Sequence, residues 1–499
     1  MKVLKKKSAF YKGNAMNNTT PHFPLMIAGL TKTSTASFDV TSPFDGALLG
    51  TVAKADASDI DFALDTASRL FADRSKWLSK TQRIQILERA IVLMKEEAES
   101  LAHGAAHEGG KPLMDSHVEM VRCIDSIRLC VDTLRHDVSK PVPMGTNAAS
   151  QHRFTIMNKE PIGVVVAVSA FNHPLNLIAH QVGPAIASGC PVIVKPAENT
   201  PLSCFRLVEI FHQAGLPVEW CQVVMPENHQ IAEKLVTDPR VAFFSFIGSA
   251  KVGWYLRSQL AAGTRCALEH GGVAPVIVAE DANVAAAIPG LAKGGFYHAG
   301  QVCVSVQRIY VHESIARDVA SRLVDAAKKM VVGDPLSDKT EVGPLIRSGE
   351  VERVDSWVKD AVNDGAELLC GGYSLPNNCY APTVLYNPSN ESKISQAEIF
   401  GPVVCIYPFS ELDQAIAAAN SLDVAFQASV YSQDINTSMY IANRLDASAV
   451  MINEHTAFRV DWMPFAGLKH SGLGTGGIPF TMEDMQVDKM IVITSKDIN

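Results

Sequence analysis

Cys303 stands in the stretch FYHAGQVCVSVQR, residues 296–308, among small residues just after Gly300 and Gln301. A cysteine in such a place is either a buried thiol that fills space or a nucleophile, and packing is the commoner use. Other residues have types and positions that could serve the same chemistry. In VIVKPAE, Lys195 and Glu198 lie just after an apolar run. In FSFIGSAKVG, Gly248 and Ser249 lie where a strand pattern gives way to a helical one. A helix N-terminus with small residues suits a phosphate, because its free N–H groups and dipole point at it. A carboxylate after a neighbouring strand suits ribose hydroxyls. The pair reads as a dinucleotide site or as an ordinary strand–helix turn, since no GxGxxG fingerprint accompanies it.

Asn172 sits between an apolar strand and Pro174 in SAFNHPLNL. It either caps a helix or donates its amide to a developing oxyanion. Glu269 ends the apolar run of CALEHGGVAP, ahead of Gly271 and Gly272. It is a structural anion or a mobile general base with a raised pKa. Glu398 and Phe400 precede a Gly-Pro turn in QAEIFGPVV, and MPFAGLKHSGLG (463–474) is a glycine-rich loop that suits close backbone packing.

The elements that must hold these residues follow from periodicity. Residues 57–72, 81–103 and 115–136 carry apolar positions at helical spacing, and 152–161 alternates as a strand or hairpin. From 162 to 269, short apolar runs alternate with amphipathic ones. Thr200 and Pro201 mark one helix start. Near-continuous apolar strands between helices indicate a parallel sheet covered on both faces, a doubly wound unit. A second α/β region follows over 275–475, including a helix at 314–331. Residues 489–495 read as a late strand suited to another subunit's edge.

Composition narrows the function classes. At 499 residues the chain is too long for a single core. Apolar residues make up 47% and charged residues 19%, the balance of a globular protein. A net charge of −8 argues against nucleic acid as a partner. No apolar run approaches the roughly 18–20 residues of a membrane span. The basic, acid-free N-terminus lacks the apolar core of a secretory signal and the arginines of a presequence, so a solvated arm is expected. The 10 cysteines include no CxxC pair, so no metal is expected and a reducing, cytoplasmic setting is.

Taken in order, the motifs FNHP, KPAE, IGSAKVG, LEHGG, GQVC, EIFGP and PFAGLKHSGLG resemble those of the aldehyde dehydrogenase superfamily, from near residue 37 to the end. The resemblance implies an α/β fold with a doubly wound NAD-binding domain (1–138 and 160–268) and an α/β catalytic domain (269–477). It also implies a small β oligomerisation element (139–159 and 478–499). It makes Cys303 the nucleophile, with Asn172 and the Cys303 N–H holding the oxyanion and Glu269 activating water. Glu398, with Phe400 beside it, then holds the nicotinamide ribose, Lys195 and Glu198 the adenosine ribose, and Gly248 and Ser249 the pyrophosphate. Glu198 would repel a 2′-phosphate and so favours NAD over NADP.

Four positions depart from the usual pattern: Phe171, His270, Val273 and Ala466. None removes a catalytic group. If a helix starts after Pro174, then His173, Leu177 and His180 share one face. In the family that face lines the aldehyde tunnel, so the substrate is expected to be a small polar aldehyde, hydroxylated or anionic, with Arg122, Arg128 and Arg459 as possible anion anchors. The alternative places both histidines on backbone hydrogen bonds. FNHPLN is similar to the lactaldehyde- and phosphonoacetaldehyde-type branch. The competing readings are a semialdehyde or CoA-acylating enzyme, and a binding protein that kept the fold. The family's habit points to a homodimer or homotetramer.

Overall fold

The computed structural model describes residues 21–28, 30–32 and 36–498, so the basic arm lies outside the described residues. The helices of the N-terminal half are α1 (Ala57–Ala72), α2 (Lys80–Glu96), α3 (Ala98–Gly109), α4 (Leu113–His136), α5 (Asn176–Ser188), α6 (Pro201–Gln213), α7 (His229–Thr237) and α8 (Ala250–Ser258). They cover a sheet with strand order Gly472–Leu473, Arg265–Glu269, Val241–Ile247, Val164–Val168, Val192–Lys195, Cys221–Val223, Leu25–Ile27, Leu30–Lys32. The central strands are parallel. Their side chains alternate between faces, yet both faces are buried. Val164 and Val166 pack with α1, α7 and α8, whereas Val165 and Ala167 pack with α2 to α6. That is why the sequence shows an unbroken apolar run there, and each buried valine stabilises the sheet by about 1.5–3 kcal/mol.

The order of these strands positions the site. The chain runs from Val164–Val168 outward to Cys221–Val223, then returns to the other side with Val241–Ile247 and Arg265–Glu269. The order therefore reverses between Val164–Val168 and Val241–Ile247, and the crevice beyond their carboxyl ends is where such sheets bind ligands. A second sheet has the order Glu367–Cys370, Thr383–Tyr386, Val403–Phe409, Val306–His312, Ala274–Val278, Gln427–Tyr431, Ala449–Ile452. It is parallel except at its first strand and is covered in part by α9 (Val284–Phe296), α10 (Glu313–Lys329) and α11 (Ser348–Asn363).

The tail strand Gln486–Thr494 pairs antiparallel with Arg153–Pro161 of the same chain, from Gln486↔Pro161 to Thr494↔Arg153. It forms the edge of its small sheet and exposes Met490, Ile491, Val492 and Ile493. The helix expected over 81–103 is divided. Glu97 takes φ −103° and ψ 7°, outside helical angles, and its carboxylate binds Arg206 of α6.

Buried carboxylates finish two helix starts. Glu108 accepts from the Leu202 and Ser203 N–H groups at 2.9 and 2.8 Å, so it caps α6 where the Thr200 side chain does not. Glu119 Oε1 accepts from the Leu175 and Asn176 N–H groups at 2.8 and 2.9 Å, and its other oxygen binds Lys111. Both members of that ion pair are almost fully buried. Glu119→Ala is expected to cost about 3–5 kcal/mol in urea unfolding, because it strands a buried ammonium and two helix-start donors. The double variant Glu119→Leu with Lys111→Leu should regain part of the loss.

Candidate active site

One cleft of about 930 Å³ lies between the carboxyl ends of the two sheets, and every residue singled out from the sequence as a site candidate lines it except Arg128. Asn172 follows the strand Val164–Val168 and is buried. It does not cap α5: that helix begins at Asn176, preceded by Leu175, with Glu119 taking the free N–H groups. Instead Asn172 Nδ2 donates to the Gln301 carbonyl at 2.9 Å. Gln301 is itself fastened. Its Nε2 donates to the carbonyls of His298 and Pro344 at 3.3 and 3.2 Å, and its Oε1 accepts from the Ile346 N–H at 3.0 Å.

The loop carrying Cys303 turns through left-handed backbone at His298, Ala299 and Gly300, with φ of 49°, 54° and 70°. Gly300 is required twice over, since a Cβ there would also lie 2.1 Å from the Gly401 carbonyl oxygen. Cys303 is partly buried beside Phe465 and Ala457. Burial first, then the nearby Glu398 and Glu269 carboxylates, push its thiol up to about 12, and Arg459 opposes them.

Glu269 is the last residue of its strand, and burial raises its carboxyl pKa while Arg459 draws it down. Glu398 lies against Gly271, where a Cβ would fall 2.0 Å from either carboxylate oxygen. Burial pushes its carboxyl up to about 8, against the pull of Arg353. Arg353 also holds the segment by donating to the Ile399 carbonyl at 2.7 Å. Phe400 meets Phe171 edge to face at 5.9 Å.

The other arm of the cleft carries Lys195 and Glu198, whose charged groups stand 3.8 Å apart, with Glu198 62% exposed and so free to meet a ligand. Gly248 and Ser249 precede α8, and the Ser249 side chain leaves that helix start uncapped. His270 Nδ1 bonds the Gly248 carbonyl at 2.9 Å, which fixes this turn. A dinucleotide fits this arm on the structure's own terms. The helix start offers N–H donors. Glu198 faces solvent, and Glu398 Oε1 is buried without a hydrogen-bond partner among the described residues.

The histidine expectation needs correction in part. The regular helix starts at Asn176 and not after Pro174, but the His173 carbonyl accepts from the Leu177 N–H at 3.0 Å, and His173, Leu177 and His180 all line the cleft. His173 lies 3.3 Å from the Tyr297 hydroxyl. His180 bonds Asp461 at 2.8 Å, so neither histidine spends its ring on backbone in the way the alternative required. Arg122 and Arg459 line the cleft, whereas Arg128 is exposed and pairs with Asp125 instead. Asp461, Tyr297 and Arg353 were not legible beforehand. Asp461 lies two residues after Arg459, and nothing in its spacing marks it.

A model of the aldehyde dehydrogenase family matches residues 30–491. Aspartate-semialdehyde dehydrogenase 1 of Pseudomonas canavaninivorans is 36% identical over 455 residues, 91% of this chain and 96% of that protein. The 3-sulfolactaldehyde dehydrogenase of Priestia aryabhattai is 34% identical over 472 residues, 94% of this chain and 98% of that protein. Among solved structures, aldehyde dehydrogenase 21 from Physcomitrella patens, in complex with the reaction product succinate, matches with a TM-score of 0.92 at 32% identity. That match covers 96% of this chain and 99% of the other.

The carboxylates around Cys303 make a measurable statement about its thiol. At pH 9, above the value to which burial pushes Glu398, the charge of that carboxylate helps hold the thiol protonated. Glu398→Gln should lower the thiol pKa and speed iodoacetamide labelling of Cys303 about 3- to 10-fold, read by mass spectrometry of the Cys303 peptide.

Proposed function

The chain belongs to the aldehyde dehydrogenase family and is an oxidoreductase, and from that premise we propose how its own residues carry out the oxidation of a small polar aldehyde to the free acid. The observation that carries the reading is convergence: Cys303, Asn172 and Glu269 line the same cleft as the dinucleotide arm. The Cys303 sulfur adds to the aldehyde carbon. Burial keeps the resting thiol protonated, so its proton leaves as attack proceeds, and Glu269 is the carboxylate that receives it. The Asn172 amide and the Cys303 backbone N–H hold the oxyanion. Each such donor is worth roughly 3–4 kcal/mol in a preorganised site. The Asn172 bond to Gln301 sets that amide in place before substrate arrives.

A nicotinamide dinucleotide, when bound, supplies the hydride acceptor. Glu398 and Phe400 would hold its nicotinamide ribose, Lys195 and Glu198 its adenosine ribose, and Gly248 and Ser249 its pyrophosphate. Glu198 favours NAD over NADP, because a carboxylate accepts from ribose hydroxyls and repels a 2′-phosphate. Oxidation leaves an acyl group on Cys303. Glu269, ionised again once it has passed the thiol proton to solvent, draws a proton from water so that the water attacks this thioester and the Cys303 thiolate leaves. Free acid is then the product rather than an acyl-CoA.

The tunnel supports the polar substrate: His173, His180, Arg122 and Arg459 border it beside Leu177. Similar proteins named for aspartate semialdehyde and 3-sulfolactaldehyde favour the same substrate class. The domain boundaries given above, a cytoplasmic setting and a homodimer or homotetramer belong to the same proposal. The exposed apolar edge at Met490–Ile493 supports the last of these.

NADH formation is measured with lactaldehyde, glycolaldehyde, succinic semialdehyde, phosphonoacetaldehyde, benzaldehyde and long alkyl aldehydes, beside Cys303→Ala. Short polar aldehydes should react best and the variant not at all; a clear preference for long alkyl chains rejects the polar tunnel. Glu269→Gln should give one burst of NADH per site and then slow turnover about 10²- to 10⁴-fold. The wild-type acid limb of kcat should lie above the ordinary carboxyl value. Glu269 acts as a base only when ionised, and burial raises the pH at which that occurs.

A further inference from the structure

Arg122, His180 and Arg459 border the cleft on the side of Cys303, but they are not equally free. Asp461, 3% exposed, takes the Arg122 fork at 2.7 and 3.1 Å, His180 Nε2 at 2.8 Å and Asn176 Nδ2 at 3.2 Å. Burial opposes its charge, but the bonds from His180 and Arg122 outweigh burial and hold its carboxyl well below the usual carboxylate range. It is a fixed anion that neutralises one arginine and occupies one histidine.

Arg459 stands apart. Its Nε comes no closer than 4.0 Å to Asp461, beyond hydrogen-bond reach. That nitrogen is buried and has no hydrogen-bond partner among the described residues. The guanidinium lies 3.5 Å from the centre of the Phe465 ring, and Phe465 packs in one cluster with Cys303 and Ala457. A guanidinium can only donate, and burying one without an acceptor is costly. Glu269 and Asp461 are its nearby opposite charges, but no hydrogen bond to either is formed among the described residues.

We propose that Asp461 sets the charge this cleft accepts: by holding Arg122 and His180 it leaves Arg459 as the cation for one anionic group at the far end of the aldehyde. The inference rests on the aldehyde-oxidising reading and deepens it. A carboxylate or sulfonate brings the matching single charge. A fully ionised phosphonate brings one charge more than the free cation offers.

The experiment compares kcat/KM for succinic semialdehyde, butanal and phosphonoacetaldehyde at pH 8. Arg459→Gln should lower the ratio of succinic semialdehyde to butanal about 10- to 100-fold, chiefly through KM, with Arg459→Lys recovering part. Arg122→Gln should lower the same ratio without being the anion's partner, because it releases Asp461 toward Arg459. Asp461→Asn should raise the ratio of phosphonoacetaldehyde to succinic semialdehyde about tenfold. If both rates fall together in Arg459→Gln, Arg459 serves Glu269 rather than the substrate, and the proposal is overturned. An unchanged phosphonate ratio in a folded Asp461→Asn overturns the role given to Asp461. If that variant does not fold, Arg122→Gln decides, and an unchanged ratio there has the same force. Calorimetric titration of succinate into the wild type and Arg459→Gln reads the anion site without turnover. Binding that disappears in the variant supports the proposal, and equal binding defeats it. A wild type that binds succinate through Arg459 yet oxidises no aldehyde would leave the anion site standing and remove the dehydrogenase reading.

Discussion

A 2.9 Å hydrogen bond from Asn172 Nδ2 to the Gln301 carbonyl joins the end of a first-sheet strand to the loop that carries Cys303. The two sheets have separate cores, so their relative placement depends on such contacts across the cleft. Each end of the bond is supported from behind. Glu119 holds the start of α5 beside Asn172, and Gln301 is strapped to the carbonyls of His298 and Pro344 and to the Ile346 N–H. A side chain committed on both sides loses little freedom when a reaction calls on it, which is what preorganisation means in physical terms.

The same cleft gathers ionisable groups in a poorly hydrated place, and burial is the first cause of each shift there. It raises Cys303, Glu269 and Glu398 and lowers Arg459. For the thiol and the two carboxyls this favours the protonated, neutral form, while Arg459 remains a cation. Asp461 is the exception. It is buried too, but two strong donors keep it charged. The cleft thus holds adaptable carboxyls on the side of Cys303 and a fixed one behind the tunnel wall.

Much of the fold could be read directly. The unbroken run at Val164–Val168 meant a strand buried on both faces, and that is what the packing of α1 to α8 imposes. Helix boundaries set by apolar periodicity, such as Ala57–Ala72, came out at the expected residues. The break at Glu97 did not show, because Lys95 to Glu99 keep a helical pattern and the partner of the Glu97 carboxylate, Arg206, lies 109 residues further along. The start of α5 was missed for a similar reason: Pro174 signals a helix start, but the regular helix begins at Asn176, where Glu119, from another helix, takes the N–H groups of Leu175 and Asn176.

The sequence by itself determined which residues could do chemistry and the strand and turn beside which each would stand, because residue type and local periodicity are properties of neighbouring positions. Only the tertiary structure decided their partners. Asn172 could cap a helix or donate into a cleft until Gln301 was brought to it. Arg122 and Arg459 were equivalent as letters until Asp461 took two hydrogen bonds from the first and stood 4.0 Å from the second, beyond hydrogen-bond reach. Hydrogen bonds and ion pairs act over a few ångströms, and which groups come within that distance is fixed by packing between segments hundreds of residues apart.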